Sequence, residues 1–78
     1  MTDRQNISLT LTKDEALVLF DFLGRFNQTD HKDIFEDQSE QKTLWILEGQ
    51  LEKQLVEPFK PGYNDIIKEA RNKIRDEE

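Results

Sequence analysis

An alternating stretch near the N-terminus limits what this chain can fold into more than any other feature. In residues 6–12 the apolar side chains of Ile7, Leu9 and Leu11 alternate with polar ones, and a period of two is typical of a half-buried β-strand. A lone strand leaves its backbone groups unpaired, so it needs a partner strand. Residues 34–35 are predicted either to form a very short second strand beside it or to fill the core.

Helix boundary signals follow this stretch directly. Thr12 and Glu15 have the spacing of a capping box, in which the Thr hydroxyl accepts from the Glu N–H and the Glu carboxylate accepts from the Thr N–H. Asp37 and Glu40 repeat that spacing at the start of a second apolar pattern. Pro58 ends this second helix, because a proline disfavours helix at the residue before it.

These signals predict an α+β fold that is mainly helical, within a single small domain. An N-terminal strand over residues 6–12 is followed by three helices, over residues 13–26, 38–56 and 62–75. The domain covers residues 1–78, and residues 76–78 form a frayed acidic tail.

The helices have more apolar surface than a short chain can easily bury within its own fold. The first helix is apolar almost all round, so it lies either centrally in the fold or in an oligomer. The second helix carries a leucine stripe and, nearly opposite, Ile46. One face would pack on the first helix, and the other on the third helix or on a partner chain. We therefore expect a homodimer that uses the strand, the second face of the middle helix, or both.

Composition limits the classes of function. The chain has 78 residues, no cysteine and a net charge of −6, which fits a small cytoplasmic domain. Neither an apolar run of membrane-spanning length nor a signal-peptide core is present. The acidity is concentrated between residues 27 and 57, and such a surface repels phosphates and favours basic partners. We expect no binding to nucleic acid or membrane.

Few residues offer catalytic chemistry. His31 is the single histidine and is expected to be a solvated loop residue. Glu48 and Glu52 lie four residues apart on one helical face. A basic side chain (Arg25, Lys68 or Arg71) could pair them, a protein partner could contact them, or they could act in acid–base chemistry. Trp45 could pack in the core or anchor an interface. No phosphate-binding loop, nucleophile elbow or zinc spacing occurs, so we expect neither enzymatic activity nor a cofactor.

Three segments carry a resemblance to a family of small uncharacterised bacterial proteins. They run from Leu11 to Leu19 (L-T-x-D-E-A-L-V-L), from Leu44 to Glu48 (L-W-x-L-E) and from Leu51 to Phe59 (L-E-K-x-L-V-E-P-F), followed by Pro61 and Tyr63. The match spans nearly the whole chain. The resemblance implies a bacterial, cytoplasmic single-domain protein and no particular mechanism.

The sequence as a whole favours a small acidic, non-enzymatic protein-interaction or regulatory module, of the kind that immunity proteins represent. It would act through a homodimer or through a protein partner whose identity the sequence does not reveal. The alternative is a ribbon-helix-helix-like DNA-binding regulator that presents Asn6, Ser8 and Thr10 to the major groove. The expected partner-binding residues are Ile7, Leu9, Trp45, Ile46, Glu48 and Glu52.

Overall fold

The computed structural model describes residues 5–76 of the protein and contains three α-helices. Helix α1 spans Lys13–Phe26, α2 spans Gln38–Gln54 and α3 spans Tyr63–Asp76, with one 3₁₀ turn at Glu57–Phe59 between the last two. Within residues 5–76 there is no β-strand. The fold is therefore all-helical, and the predicted α+β class is wrong.

The predicted strand over residues 6–12 is instead an extended segment without a pairing partner. Within the described part of this segment, Thr12 alone takes part in a hydrogen bond between backbone groups, accepting from the Ala16 N–H at 2.9 Å as α1 begins. The predicted second strand is also wrong, because Ile34 lies in a turn and donates its N–H to the His31 carbonyl. Alternating apolar and polar residues indicate a segment that can be extended, but a strand also needs hydrogen bonds to the backbone of a neighbouring segment. We call residues 5–12 the N-terminal arm.

Both helix starts are capped as the sequence indicates, with one difference. At α1 the Thr12 hydroxyl accepts from the Glu15 N–H at 3.1 Å, and the Glu15 carboxylate accepts from the Thr12 N–H at 2.9 Å. At α2 the Asp37 carboxylate accepts from the Ser39 N–H at 2.6 Å, which lowers the pKa of Asp37. Glu40 accepts from the N–H of Glu36 rather than that of Asp37, so the second capping box is offset by one residue.

Helix α1 lies between the other two helices and packs against both. Of the two positions expected for this helix, central in the fold or buried in an oligomer, the structure shows the first, which explains its wide apolar surface. The core is formed by six buried residues drawn from all three helices and from the segment after α2: Leu17, Leu23, Leu51, Leu55, Ile67 and Ala70. Because α3 packs on α1, it leaves the second face of α2 uncovered.

Helix α1 has the predicted bounds, whereas the end of α2 and both ends of α3 differ from prediction by one or two residues. Helix α2 ends at Gln54 rather than at residue 56, since Leu55 has extended backbone angles ahead of the proline-containing turn. Gly62, at φ 81°, precedes α3. Asp76 is the last residue of α3, and residues 77–78 of the predicted frayed tail lie outside the described residues.

No helix within residues 5–76 has the length and apolarity needed to cross a bilayer.

Candidate interaction surfaces

The N-terminal arm presents large apolar side chains to solvent. Ile7 is 87% exposed and Leu9 is 81% exposed, whereas aliphatic side chains of this size are usually buried. The arm borders a groove of about 540 Å³ that is closed on its other sides by α1 and α2. The groove is lined by apolar side chains, chiefly Leu11 of the arm, Leu19 of α1 and Leu47, Leu51 and Leu55 of the α2 region. The arm and this groove form a continuous apolar surface, which we call the arm groove.

A second apolar surface lies on the outside of α2. Trp45 is 47% exposed and Ile46 is 61% exposed, although both sit in the middle of a well-formed helix. Neither residue lines the arm groove. Glu52 is also exposed and lies on the same side of α2 as Trp45, seven residues further along. Trp45 and Glu52 therefore share one side of α2, Ile46 lies about 100° from Trp45 around the helix, and none of the three lines the arm groove.

Glu48 is engaged inside the molecule rather than on this outer face. Its Oε1 accepts a hydrogen bond of 2.8 Å from Asn27 Nδ2, which joins the end of α1 to the middle of α2. Its second carboxylate oxygen lies close to Gly24 of α1. Two of the three basic residues expected to pair with Glu48, Arg25 and Arg71, pair with Asp21 instead. Glu48 thus holds two helices together, and Glu52 does not share its surroundings.

An aromatic corner at the end of α1 is a feature that sequence reasoning missed. The rings of Phe26 and His31 stack at a centroid distance of 3.8 Å, and Phe35 meets Phe26 edge-on at 6.1 Å. His31 lies in a loop as expected, but it is half-buried on Phe26 rather than fully solvated, and its Nε2 lies 2.5 Å from the Thr29 hydroxyl. The spacing of Phe26, His31 and Phe35 shows no helical or strand period, so no periodic signal could have revealed the cluster.

The corner also borders a shallow apolar depression of about 460 Å³. It lies between the 34–35 turn and the first half of α2, and Ile34 at its edge is exposed. Its lining includes Glu40 and the hydroxyl residues Ser39 and Thr43, but Glu40 and Thr43 already bond within the chain. The depression has no cluster of polar groups that converge on one point.

The most highly connected polar group joins α1 to α3. Asp21 accepts hydrogen bonds from the Tyr63 hydroxyl at 3.2 Å and from the Arg71 guanidinium at 2.5 Å. Burial, reinforced by the neighbouring Asp21 charge, raises the pKa of Tyr63 to about 12. At neutral pH the phenol therefore stays protonated and remains a donor to Asp21. These side chains satisfy one another, which is a structural arrangement rather than a poised acid–base pair.

The described residues include no group of three or more histidine, cysteine, aspartate or glutamate side chains placed to hold a metal ion. What distinguishes the surface is apolar side chains left open to solvent, in the arm groove and on the outer face of α2. Such surfaces are typical of protein contact sites.

Comparison with known proteins gives no relative from which a role could be transferred. No protein-family model matches the chain, and no curated protein or solved structure matches it.

Proposed function

We propose that the protein is a non-enzymatic protein-interaction module that binds a protein partner through the arm groove. The observation that carries this proposal is the exposure of Ile7 and Leu9 beside a groove of leucines. Keeping two aliphatic side chains in water forgoes roughly 1.5–3 kcal/mol each of burial free energy. A partner that covers them would recover part of that free energy on binding.

The charge pattern indicates what kind of partner fits. The arm is free of charged residues over positions 5–12, which is the longest uncharged run in a chain of net charge −6. A partner with an apolar patch bordered by lysine or arginine would match the arm and be attracted by the acidic surface around it. Binding by this protein would regulate the activity of the partner, in the way that immunity proteins regulate their targets. Action in the bacterial cytoplasm belongs to the same proposal and draws on the cysteine-free composition.

The structure gives the ribbon-helix-helix alternative no support at residues 6–12. That type of DNA binding needs strands that pair between two copies and lie in the major groove, and residues 6–12 form no strand in the described structure. The acidic surface also opposes a duplex, since most of the affinity for DNA comes from neutralised phosphates.

A pull-down from the source organism followed by binding measurements on the purified candidate tests the proposal. The double variant Ile7→Ser, Leu9→Ser should weaken binding at least about tenfold, since it removes the exposed apolar groups. The matched control is Asn6→Ala, Ser8→Ala, which alters the same segment at positions that do not line the groove and should bind as the wild type does. Both variants should keep the wild-type thermal unfolding curve.

Equal binding by wild type and the Ile7→Ser, Leu9→Ser variant would refute the arm groove as the contact surface. Equal loss in both double variants would also contradict it, because the effect would then come from the segment and not from its apolar side chains.

A further inference from the structure

The middle of α2 contains a glycine that the fold itself does not require. Gly49 lies in regular helix, where glycine costs about 0.5–1 kcal/mol relative to alanine. Its φ is not positive, and a Cβ built on it would have no atom within 4 Å. Neither backbone conformation nor packing within the chain therefore explains the glycine. A glycine with open space above it in a helix allows another group to approach the backbone closely.

Three further residues complete a narrow strip with Gly49. At 3.6 residues per turn, Lys42, Trp45, Gly49 and Glu52 fall within about 80° of arc and along about 15 Å of the helix. All of them except Gly49 are exposed, and Gly49 is partly so. Ile46 flanks the strip and is exposed as well. We call these four residues the α2 strip.

The α2 strip is complementary to itself in an antiparallel arrangement. If two copies meet about a two-fold axis at the level of residue 47, residue 42 faces residue 52 and residue 45 faces residue 49. Each Trp45 indole then lies over Gly49 of the second copy, in the space that a side chain would fill. Each Lys42 ammonium meets Glu52 of the second copy, so two ion pairs form symmetrically. The two Ile46 side chains approach each other beside the axis.

We propose that the α2 strip is the interface of an antiparallel homodimer of this chain. The inference goes beyond the binding role proposed for the arm groove and uses none of its residues. A two-fold contact is self-complementary by necessity, and both the charge order of the strip and the position of its glycine satisfy that condition. Lys53 borders the strip on the same side as Lys42 and remains solvated. Because the contact is small, the dimer belongs to the reversible class, with a dissociation constant in the micromolar range or weaker.

The single tryptophan of the chain makes the interface directly observable. Trp45 is the one tryptophan among the 78 residues, so its emission should shift to the blue as the protein concentration rises and the indole leaves water. Over the same concentration range, the apparent mass measured by sedimentation equilibrium should rise from the 9.3 kDa chain mass toward twice that value.

Two sets of variants test the geometry. Gly49→Gln should raise the thermal midpoint of the monomer, because glutamine is a better helix former and its Cβ would enter open space. It should also abolish the dimer by blocking the indole. Lys42→Glu should weaken the dimer roughly tenfold, because in each of the two symmetric contacts a carboxylate would then face the Glu52 carboxylate of the other copy. The reversed pair Lys42→Glu, Glu52→Lys should restore it to within about threefold of wild type, since the two ion pairs re-form. Lys60→Glu, on an exposed residue outside α2, is the matched charge control and should dimerise as the wild type does.

A wild-type protein that stays monomeric to millimolar concentration overturns the inference. So does a dimer that Gly49→Gln leaves intact, or one that the reversed charge pair fails to restore. The Ile7→Ser, Leu9→Ser variant should dimerise normally, so a failure of the arm proposal and a failure of the dimer proposal are distinguishable. Loss of the dimer in that variant would also overturn the inference.

Discussion

The carboxylate of Asp21 in α1 lies 2.5 Å from the guanidinium of Arg71 in α3. This ion pair joins positions 50 residues apart in the sequence and is partly buried. Arg25, on the next turn of α1, adds a second cation at 3.4 Å from the same carboxylate. Helix α3 therefore docks on α1 through a charged contact as well as through the core.

Replacement of Asp21 by asparagine should destabilise the fold. It removes the charge that faces two arginines and weakens the Tyr63 hydrogen bond, so we expect a loss of about 1–3 kcal/mol in the free energy of unfolding. Urea unfolding followed by far-ultraviolet circular dichroism gives this value. The matched control is Glu69→Gln on the exposed surface of α3, which should change stability by less than about 0.5 kcal/mol. Equal effects would show that the Asp21 contact contributes nothing specific.

The stability of the protein should fall at alkaline pH because of Tyr63. Its pKa is raised in the folded state to about 12 from the usual value of 10.0, so the folded state binds the phenol proton more tightly than the unfolded state does. The resulting stabilisation is complete below pH 10 and is lost as pH rises toward 12. Tyr63 is the single tyrosine, so tyrosinate absorbance reports its titration directly. In Tyr63→Phe the alkaline loss should be shallower, and a folded-state midpoint near 10 would contradict the prediction.

The acid side of the stability profile should depend on Glu57. Its carboxylate accepts from the Lys13 ammonium at 2.9 Å, and this contact lowers the pKa of Glu57 below its usual value of 4.5. The stabilisation is present above that value and is lost as pH falls through the folded-state pKa. Glu57→Gln and Lys13→Met should each flatten the acid limb of a plot of unfolding midpoint against pH. An acid limb unchanged in both variants would rule out the pair as a source of pH dependence.

Local signals in the sequence located the helices well. The Thr12 capping box gave the start of α1 to the residue, because its two hydrogen bonds involve only neighbours in the chain. The predicted end of α2, residue 56, lies two residues beyond its observed end at Gln54. Prolines show where a helix cannot continue but not where its last turn unwinds.

Signals that depend on distant partners were less informative. The alternation of Ile7, Leu9 and Leu11 predicted a strand, but pairing is a property of two segments, and within residues 5–76 no second extended segment forms backbone hydrogen bonds with the arm. For the same reason, the sequence does not predict that Arg71 forms an ion pair with Asp21 rather than with Glu48. The sequence allows Trp45 either in the core or at an interface, because its exposure depends on which face of α2 the third helix covers.

The cap of α1 provides a test of how much one local interaction contributes. Thr12→Ala removes the hydroxyl that accepts from Glu15 N–H and should cost about 1 kcal/mol of unfolding free energy. Thr12→Ser keeps the hydroxyl and should stay within a few tenths of a kcal/mol of wild type. Thermal unfolding of the three proteins in parallel distinguishes the two results. A Ser variant as unstable as the Ala variant would show that the threonine methyl group, rather than the cap, is responsible.

Alanine substitutions at Gly24 and Gly62 should change stability in opposite directions. Gly24 lies within α1, and a Cβ there would make an ordinary contact of 3.8 Å with the Glu48 carboxylate. Gly24→Ala should therefore stabilise the protein by roughly 0.5–1 kcal/mol through its better helix propensity. Gly62 has a φ of 81° ahead of α3, where an L-residue with a Cβ is strained, so Gly62→Ala should destabilise by about 1–2 kcal/mol. Chemical unfolding of both variants under one set of conditions should give two shifts of opposite sign. Stabilisation by Gly62→Ala would show that the turn before α3 adopts a different conformation.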